Sequence, residues 1–211
     1  MKFASRQDAG RRLAEFLRKR GISADLVLGL PRGGVVIAAE IARELKLPLD
    51  VLVVRKIGHP MQREFAVGAL AEPGIVFLHE ESHNPFIEAA LDNVVAEEKK
   101  RLNDYGQKFH LFGMPSLEGK NVLLVDDGLA TGATAEVAAL SARQRKARRI
   151  IVTAPVASTD AVVRLRRVAN DVEVLEVDAD FQAVGQYYSE FSETTDAEVI
   201  ALLHASVDRA A

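Results

Sequence analysis

Short runs of Val, Ile and Leu alternate along this chain with stretches in which apolar residues recur every three or four positions. DLVLGL (25–30) reads as a strand and GVVIAAEIARELK (34–46) as a helix. LDVLVVRKI (49–57) and NVLLVD (121–126) read as strands, followed by a helix over about 134–146. RRIIVTAPV (148–156) and VEVLEVD (172–178) are two further strands, with a helix over about 160–169 between them. Near-continuous apolar strands separated by helices mark a parallel sheet buried on both faces, because crossovers between parallel strands need a dozen residues or more. The pattern therefore predicts an α/β, doubly wound, mainly parallel sheet.

Three segments stand outside that alternation. Residues 5–20 carry Leu13, Phe16 and Leu17 on one face and read as an amphipathic helix. Residues 66–78 (AVGALAEPGIVFL) read as a β-hairpin turning at Glu72-Pro73-Gly74. Residues 85–109 form a long, charge-rich helical stretch whose acids precede its bases, the order that favours i,i+4 pairs on a solvated face. No internal repeat, low-complexity run or linker interrupts the chain, so one domain is expected over residues 1–211.

Composition narrows the classes of function. With 48% hydrophobic and 27% charged residues, the chain reads as globular. A net charge of -3 argues against a general nucleic-acid or membrane-surface binder. The absence of Cys removes disulfides, thiolate metal sites and a cysteine nucleophile. No apolar run approaches the roughly 20 residues that span a bilayer, so the cytoplasm is the expected compartment. There is no GxxxxGK[ST] loop of the kind found in phosphoryl-transferring P-loop proteins.

The chemistry concentrates in NVLLVDDGLATGAT (121–134). A strand ends on two acids, Asp126 and Asp127, and Gly128 and Leu129 lead to Ala130-Thr131-Gly132-Ala133-Thr134 at the start of a helix. In open parallel sheets, ligands bind beyond the carboxyl ends of the strands. A helix N-terminus offers unpaired N–H groups to phosphate, Gly132 allows close approach, and Thr131 and Thr134 add hydroxyls. The acids would repel that phosphate, but they fit vicinal hydroxyls or a Mg2+ ion. Hydroxyls beside a phosphate describe a sugar phosphate. LGLPRGGV (28–35) supplies a second Gly-rich turn between strand and helix, with Pro31, Gly33, Gly34 and the donor fork of Arg32.

The strand–DDGLATGAT pattern resembles the phosphoribosyl-pyrophosphate signature of the type I phosphoribosyltransferases. The combination of PRGG, RKIG…EFAVGA and AVGQYY with it is similar to a group of stand-alone bacterial members whose acceptor is not settled. The resemblance implies that Asp126 and Asp127 hold the ribose hydroxyls, with a possible touch on Mg2+ that is otherwise bound by substrate and water. It implies that residues 130–134 bind the 5-phosphate, and that residues 31–34 bind pyrophosphate around a strained or cis peptide. A mobile loop after the second core strand would bring Arg55 and Lys56 to the leaving pyrophosphate, with His59, Arg63 and Glu64 on its turn. Asp126, Asp127, Lys56 and Arg32 are the expected catalytic set.

The same resemblance divides the chain into a core of about 25–178 and a helical insertion of about 85–110. A small hood follows, formed by about 178–211 together with the N-terminal helix. Phe181, Tyr187, Tyr188 and Phe191 concentrate aromatics in the hood, where Phe181 and Tyr187 could stack on a nucleobase or could form the hood's own core. Asp178, Asp180 and Glu190 are the acids there that could take a proton. The expected reaction is transfer of phosphoribose to a nitrogen acceptor, with a homodimer as the expected assembly. A non-catalytic sensor that regulates transcription shares these loops. Its discriminating feature would be a basic face, for which residues 143–149 (RQRKARR) are the candidate, unless they only end a helix.

Overall fold

Burial of both faces dictates the central sheet. In the computed structural model, which describes residues 2–78, 88–111 and 113–207, five parallel strands run in the order β2-β1-β6-β7-β8. They are β1 (Leu26–Gly29), β2 (Leu49–Val51), β6 (Asn121–Val125), β7 (Arg149–Ser158) and β8 (Asp171–Asp178). Alternate residues point to opposite faces. Leu26, Leu28, Val122, Leu124, Ile150 and Val152 pack under α4 (Ala133–Gln144) and α5 (Thr159–Leu165). Val27, Leu123, Val125 and Ile151 pack under α1 (Arg6–Lys19) and α2 (Gly33–Leu45). The expected doubly wound, mainly parallel sheet is thus the observed one.

The chain leaves β1 through α2 for β2 on one side, whereas β6 pairs with β1 on the other. The carboxyl ends of β1 and β6 therefore open onto the same crevice, the point at which an open sheet binds ligands. The N-terminal helix begins where its sequence specifies. Ser5 accepts a hydrogen bond from the Asp8 amide at the N-cap, Asp8 lies in the first turn, and Arg18 and Lys19 lie in the last. Leu13 and Leu17 are buried, while Phe16 is only partly so.

The strand expected over 49–57 is two strands in two sheets. β2 ends at Val51, and β3 (Val54–His59) joins β4 (Gln62–Ala71) and β5 (Ile75–Leu78) in a separate antiparallel sheet of order β3-β4-β5. The break is enforced at Val53. Its N–H donates to the buried carboxylate of Glu72 at 2.9 Å, while its carbonyl accepts from the Glu72 amide. These bonds turn the chain from the parallel ladder into the antiparallel one. The expected hairpin about Glu72-Pro73-Gly74 is present as β4–β5, and the Glu72–Pro73 peptide is cis. The segment to which the resemblance assigns a mobile loop is built largely as the β3–β4 hairpin, with register shifts beside Gly58.

α3 (Glu88–Phe109) supplies the expected helical insertion, although residues 85–87 lie outside the described residues. Leu91, Val94, Leu102 and Phe109 pack with Ile57, Val67 and Leu70, and α6 (Asp196–Val207) adds Val199 and Leu203. Glu98 is buried on α3 and takes Arg55 from β3 at 2.7 Å and Arg101 from its own helix at 2.7 Å. Just past the C-terminal end of α3, His110 lies between Asp50 and Glu72, at 2.9 and 3.0 Å. Burial alone would lower its pKa, but its bonds to Asp50 and Glu72 win and carry it up to about 9.

Candidate functional site

Two loops meet at the crevice. After β1 the chain passes Leu30, Pro31 and Arg32 into α2, and the Pro31–Arg32 peptide is cis. After β6 it passes Asp126 to Gly132 into α4. The loops touch so closely that side chains are excluded between them. A Cβ on Gly34 would lie 2.5 Å from the Val125 carbonyl oxygen and 3.0 Å from Asp126 Cα. One on Gly33 would lie 2.0 Å from Asp127 Oδ2. Glycine here is a requirement of approach.

The second loop is stitched to the end of β7. Leu129 donates to Val156 and accepts from the Ser158 amide, and the Ser158 hydroxyl donates to the Ala130 carbonyl at 2.6 Å. Gly132 caps α4 with φ of 72°, a left-handed conformation that an L side chain rarely adopts. Thr131 Oγ1 accepts from the Ala133 amide at 3.3 Å. Residues 128–135 with Asp126 line a recess of about 120 Å3. Backbone amides of a helix start and the hydroxyls of Thr131 and Thr134 surround it, which is the donor set an anion needs.

The two acids are strained electrostatically. Burial, followed by the neighbouring Asp127 charge, pushes the Asp126 carboxyl well above the usual carboxylate range. Burial also raises Asp127, against the opposing pull of Arg6. Asp126 Oδ1 accepts the Asp127 amide at 2.9 Å. Asp127 is held from two sides: Arg6 Nε donates to Oδ2 at 2.8 Å, and the Tyr188 hydroxyl donates to its carbonyl at 2.6 Å. Burial first, then the Asp127 charge, raises the Tyr188 phenol far above its ordinary range, which leaves it a neutral donor.

The other expected residues fall in distinct places. Arg32 stands at the N-cap of α2 and pairs with Glu193, with Asp196 3.8 Å away. Lys56 is exposed on β3 and lines a cavity of about 480 Å3 with Thr134, Val54, Phe77 and Val137. Arg55 points the other way, onto Glu98. His59 accepts from the Met61 amide at the hairpin tip, and the side chains of Arg63 and Glu64 lie outside the described residues.

Phe181 lines an open cavity of about 960 Å3 with Thr131, Ser158 and Arg164. Tyr187 is buried, its ring 5.2 Å from Phe181 and its hydroxyl on Asp178 at 2.6 Å. Asp178 also accepts the Asp180 amide, while Glu190 is exposed. Arg6 is the site residue that sequence reasoning missed. A helical period identifies which face is buried and says nothing about which cation reaches an acid 121 positions away.

The acids provide hard oxygen donors suited to Mg2+. Among the described residues no group of three or more His, Cys, Asp or Glu could hold a metal by itself. The pair fits an ion held mostly by ligand oxygens and water. No described helix is long and apolar enough to cross a membrane. Each cation of the basic cluster makes a local bond: Arg143 donates to Val168, Arg145 through Nη2 to Pro115, Lys146 to Glu118, Arg148 to Asn121 and Arg149 to Asp171, while Arg145 Nη1 is buried without a partner among the described residues.

Comparison with known proteins identifies the family and the fold. Two proteins of Mycobacterium tuberculosis, from strains CDC 1551 and H37Rv and provisionally named phosphoribosyl transferases, are 42% identical over 206 residues. The match takes in 95% of this chain and 46% of theirs, so the chain spans about half the length of these relatives. A crystal structure of a protein from Thermus thermophilus is 43% identical, covers 96% of this chain and 98% of its own, and superposes with a TM-score of 0.83. A protein of Aquifex aeolicus shares the fold at 13% identity, with a TM-score of 0.51 over 82% of this chain and 74% of its own. Residues 4–191 match the profile of the phosphoribosyl transferase domain, and the chain belongs to that family.

Proposed function

We propose that the protein transfers the 5-phosphoribosyl group of phosphoribosyl pyrophosphate to a nitrogen of a nucleobase and releases pyrophosphate. The observation that carries this reading is the contact of the two loops through Gly33 and Gly34, which brings Asp126 and Asp127 against the Gly-rich turn after the first strand. One turn, residues 130–134, suits the 5-phosphate; the other, residues 31–34, suits the pyrophosphate; Asp126 and Asp127 between them suit the ribose hydroxyls. The donor thus spans the switch point of the sheet.

In the reaction, the bond from ribose C1 to pyrophosphate oxygen breaks and a bond from C1 to the acceptor nitrogen forms. The electron pair leaves with pyrophosphate, and the nitrogen's proton passes to a hood acid or to water. The protein contributes position and charge, with no covalent nucleophile. Arg32 and Lys56 meet the negative charge growing on the leaving group. Asp126 and Asp127 would help to hold Mg2+, which would supply further charge neutralisation. Phe181 forms one wall of the acceptor subsite, whereas Tyr187 is buried behind it in the hood's own core and does not reach the cavity; Asp178, Asp180 and Glu190 are the acids within the hood. We read residues 1–211 as one cytoplasmic unit that pairs as a homodimer. The internal pairing of Arg143–Arg149 supports the enzyme over a nucleic-acid-binding sensor.

The test is a panel of nucleobases with phosphoribosyl pyrophosphate and Mg2+, followed by pyrophosphate release. One acceptor should give turnover, and Asp127→Asn should lower donor affinity or turnover tenfold or more, corresponding to about 1.4 kcal/mol or more for a charge-assisted bond. Unchanged donor affinity in that variant would remove the ribose role.

A further inference from the structure

Arg6 opens α1, outside both strand-end loops, yet its guanidinium reaches the centre of the site. Its Nε, which bonds Asp127, would also lie 2.7 Å from a Cβ placed on Gly33, so it stands where the first loop meets the acid. Its Nη1 donates to the Ser192 carbonyl at 2.7 Å, and its guanidinium carbon lies 4.0 Å from the centre of the Phe191 ring. The Arg6 and Asp127 side chains are only 11% and 16% exposed. A helix N-terminus disfavours a cation, because the macrodipole puts its positive end there. Helix stability therefore does not explain an arginine at this position, and a partly buried guanidinium must be held by what it contacts.

What it contacts is the Asp127 carboxylate and the segment after Tyr188. Among the described residues Asp127 Oδ1 bonds no other side chain, whereas Oδ2 is taken by Arg6. A carboxylate clamped at one oxygen presents the other at a fixed angle, and the Tyr188 hydroxyl fixes the main chain beneath it. A freely rotating carboxylate would have to lose that freedom on binding; this one has already lost it.

We propose that Arg6 is a positioning residue for the donor: it fixes Asp127 so that Oδ1 receives a ribose hydroxyl, and through Ser192 and Phe191 it ties that orientation to the hood. The proposal rests on the reading of Asp127 as a ribose ligand. Although Arg6 stands beside Gly33, its hydrogen bonds go to Asp127 and Ser192 and to no group of the pyrophosphate turn, so its loss acts through the acid on hydroxyl recognition.

The experiment is calorimetric titration of wild-type protein, Arg6→Gln, Arg6→Lys, Asp127→Asn and the Arg6→Gln/Asp127→Asn double variant. The ligands are phosphoribosyl pyrophosphate, ribose 5-phosphate and inorganic pyrophosphate, each with Mg2+. Arg6→Gln should weaken both ribose-bearing ligands tenfold or more and leave pyrophosphate within twofold. On the Asp127→Asn background, Arg6→Gln should add less than twofold. Arg6→Lys keeps the charge without the planar fork and should lose threefold or more for both ribose-bearing ligands; it carries the test should Arg6→Gln not fold. Equal losses for pyrophosphate, full additivity with Asp127→Asn, or an indifferent Arg6→Gln overturns the role of Arg6 while the donor reading survives. Failure of the wild-type protein to bind ribose 5-phosphate overturns both.

Discussion

Gly34 shows how much of the site depends on a missing side chain. Its virtual Cβ faces backbone on both counts, the Val125 carbonyl and Asp126 Cα, and backbone at the end of a central strand cannot swing aside as a side chain would. Gly34→Ala should therefore separate the two loops. The expected cost is about 1–3 kcal/mol of stability, typical of an overpacked interior, with donor affinity falling tenfold or more. Gly21 provides the contrast: it has a φ of 67° but nothing within 4 Å of a virtual Cβ, so Gly21→Ala should cost about 1 kcal/mol from backbone conformation alone and leave binding untouched. Urea unfolding and donor titration of the two variants separate close approach from conformation. Both glycines are equally visible in a sequence; only the motif around Gly34 marks it as part of a site, and neither the motif nor composition distinguishes the two causes.

α3 is fastened to the antiparallel sheet by buried charge at its middle, and the sheet to the core by a second cluster just past the helix's C-terminal end. Glu98 receives Arg55 and Arg101, and His110 bridges Asp50 and Glu72. The His110 latch gives a pH dependence with a definite sign. Its folded pKa, about 9, lies above the ordinary value of 6.5, so its contribution is complete below about pH 6.5 and disappears as pH rises through about 9. His110→Ala should cost about 3 kcal/mol at pH 6, because it leaves the buried Glu72 and the half-buried Asp50 without their partner. The gap between wild type and variant should narrow towards pH 9.5, as measured by urea unfolding across that range; a gap constant with pH would exclude the charged form. This same latch explains what was not legible. An apolar run such as residues 49–57 indicates burial on both faces and is silent about which neighbour supplies the ladder, so one strand was expected where Glu72, 19 residues away, divides it into two. The parallel strands were legible because each is a near-continuous apolar run set between helical periods, although their order in the sheet was not. The direction of Arg55 was not, because strand alternation sends Arg55 and Lys56 to opposite faces and the sequence leaves open which face meets the crevice.

At the scale of the whole chain, the core sheet builds the proposed donor side and the two termini together build the other. Phe3 pairs with the segment after the last strand: its amide donates to the Tyr187 carbonyl, its carbonyl accepts from the Ser189 amide, and it forms an isolated parallel bridge with Tyr188. Phe3, Tyr187 and Tyr188 are buried together in the cluster under α1 and α2. Arg6 and Tyr188 are the points at which this terminal unit grips Asp127. Phe181 belongs to the same unit but reaches forward, packed on Tyr187 along one side and open along the other to the cavity shared with Thr131 and Ser158. An aromatic face beside that cavity suits a flat heterocycle, and stacking of this kind contributes about 0.5–1.5 kcal/mol beyond buried area. Phe181→Ala should therefore raise the KM for the acceptor about 2–12-fold, the same free energy expressed as a ratio. The KM for phosphoribosyl pyrophosphate should rise less than that for the acceptor, because Phe181 shares its cavity with the donor loop only at Ala130 and Thr131, whereas Asp126, Asp127 and residues 31–34 lie outside it. Steady-state kinetics with each substrate varied in turn reads the two constants separately. A matching rise in both would mean that the hood and the core form one pocket, and the division of labour between termini and sheet would fall.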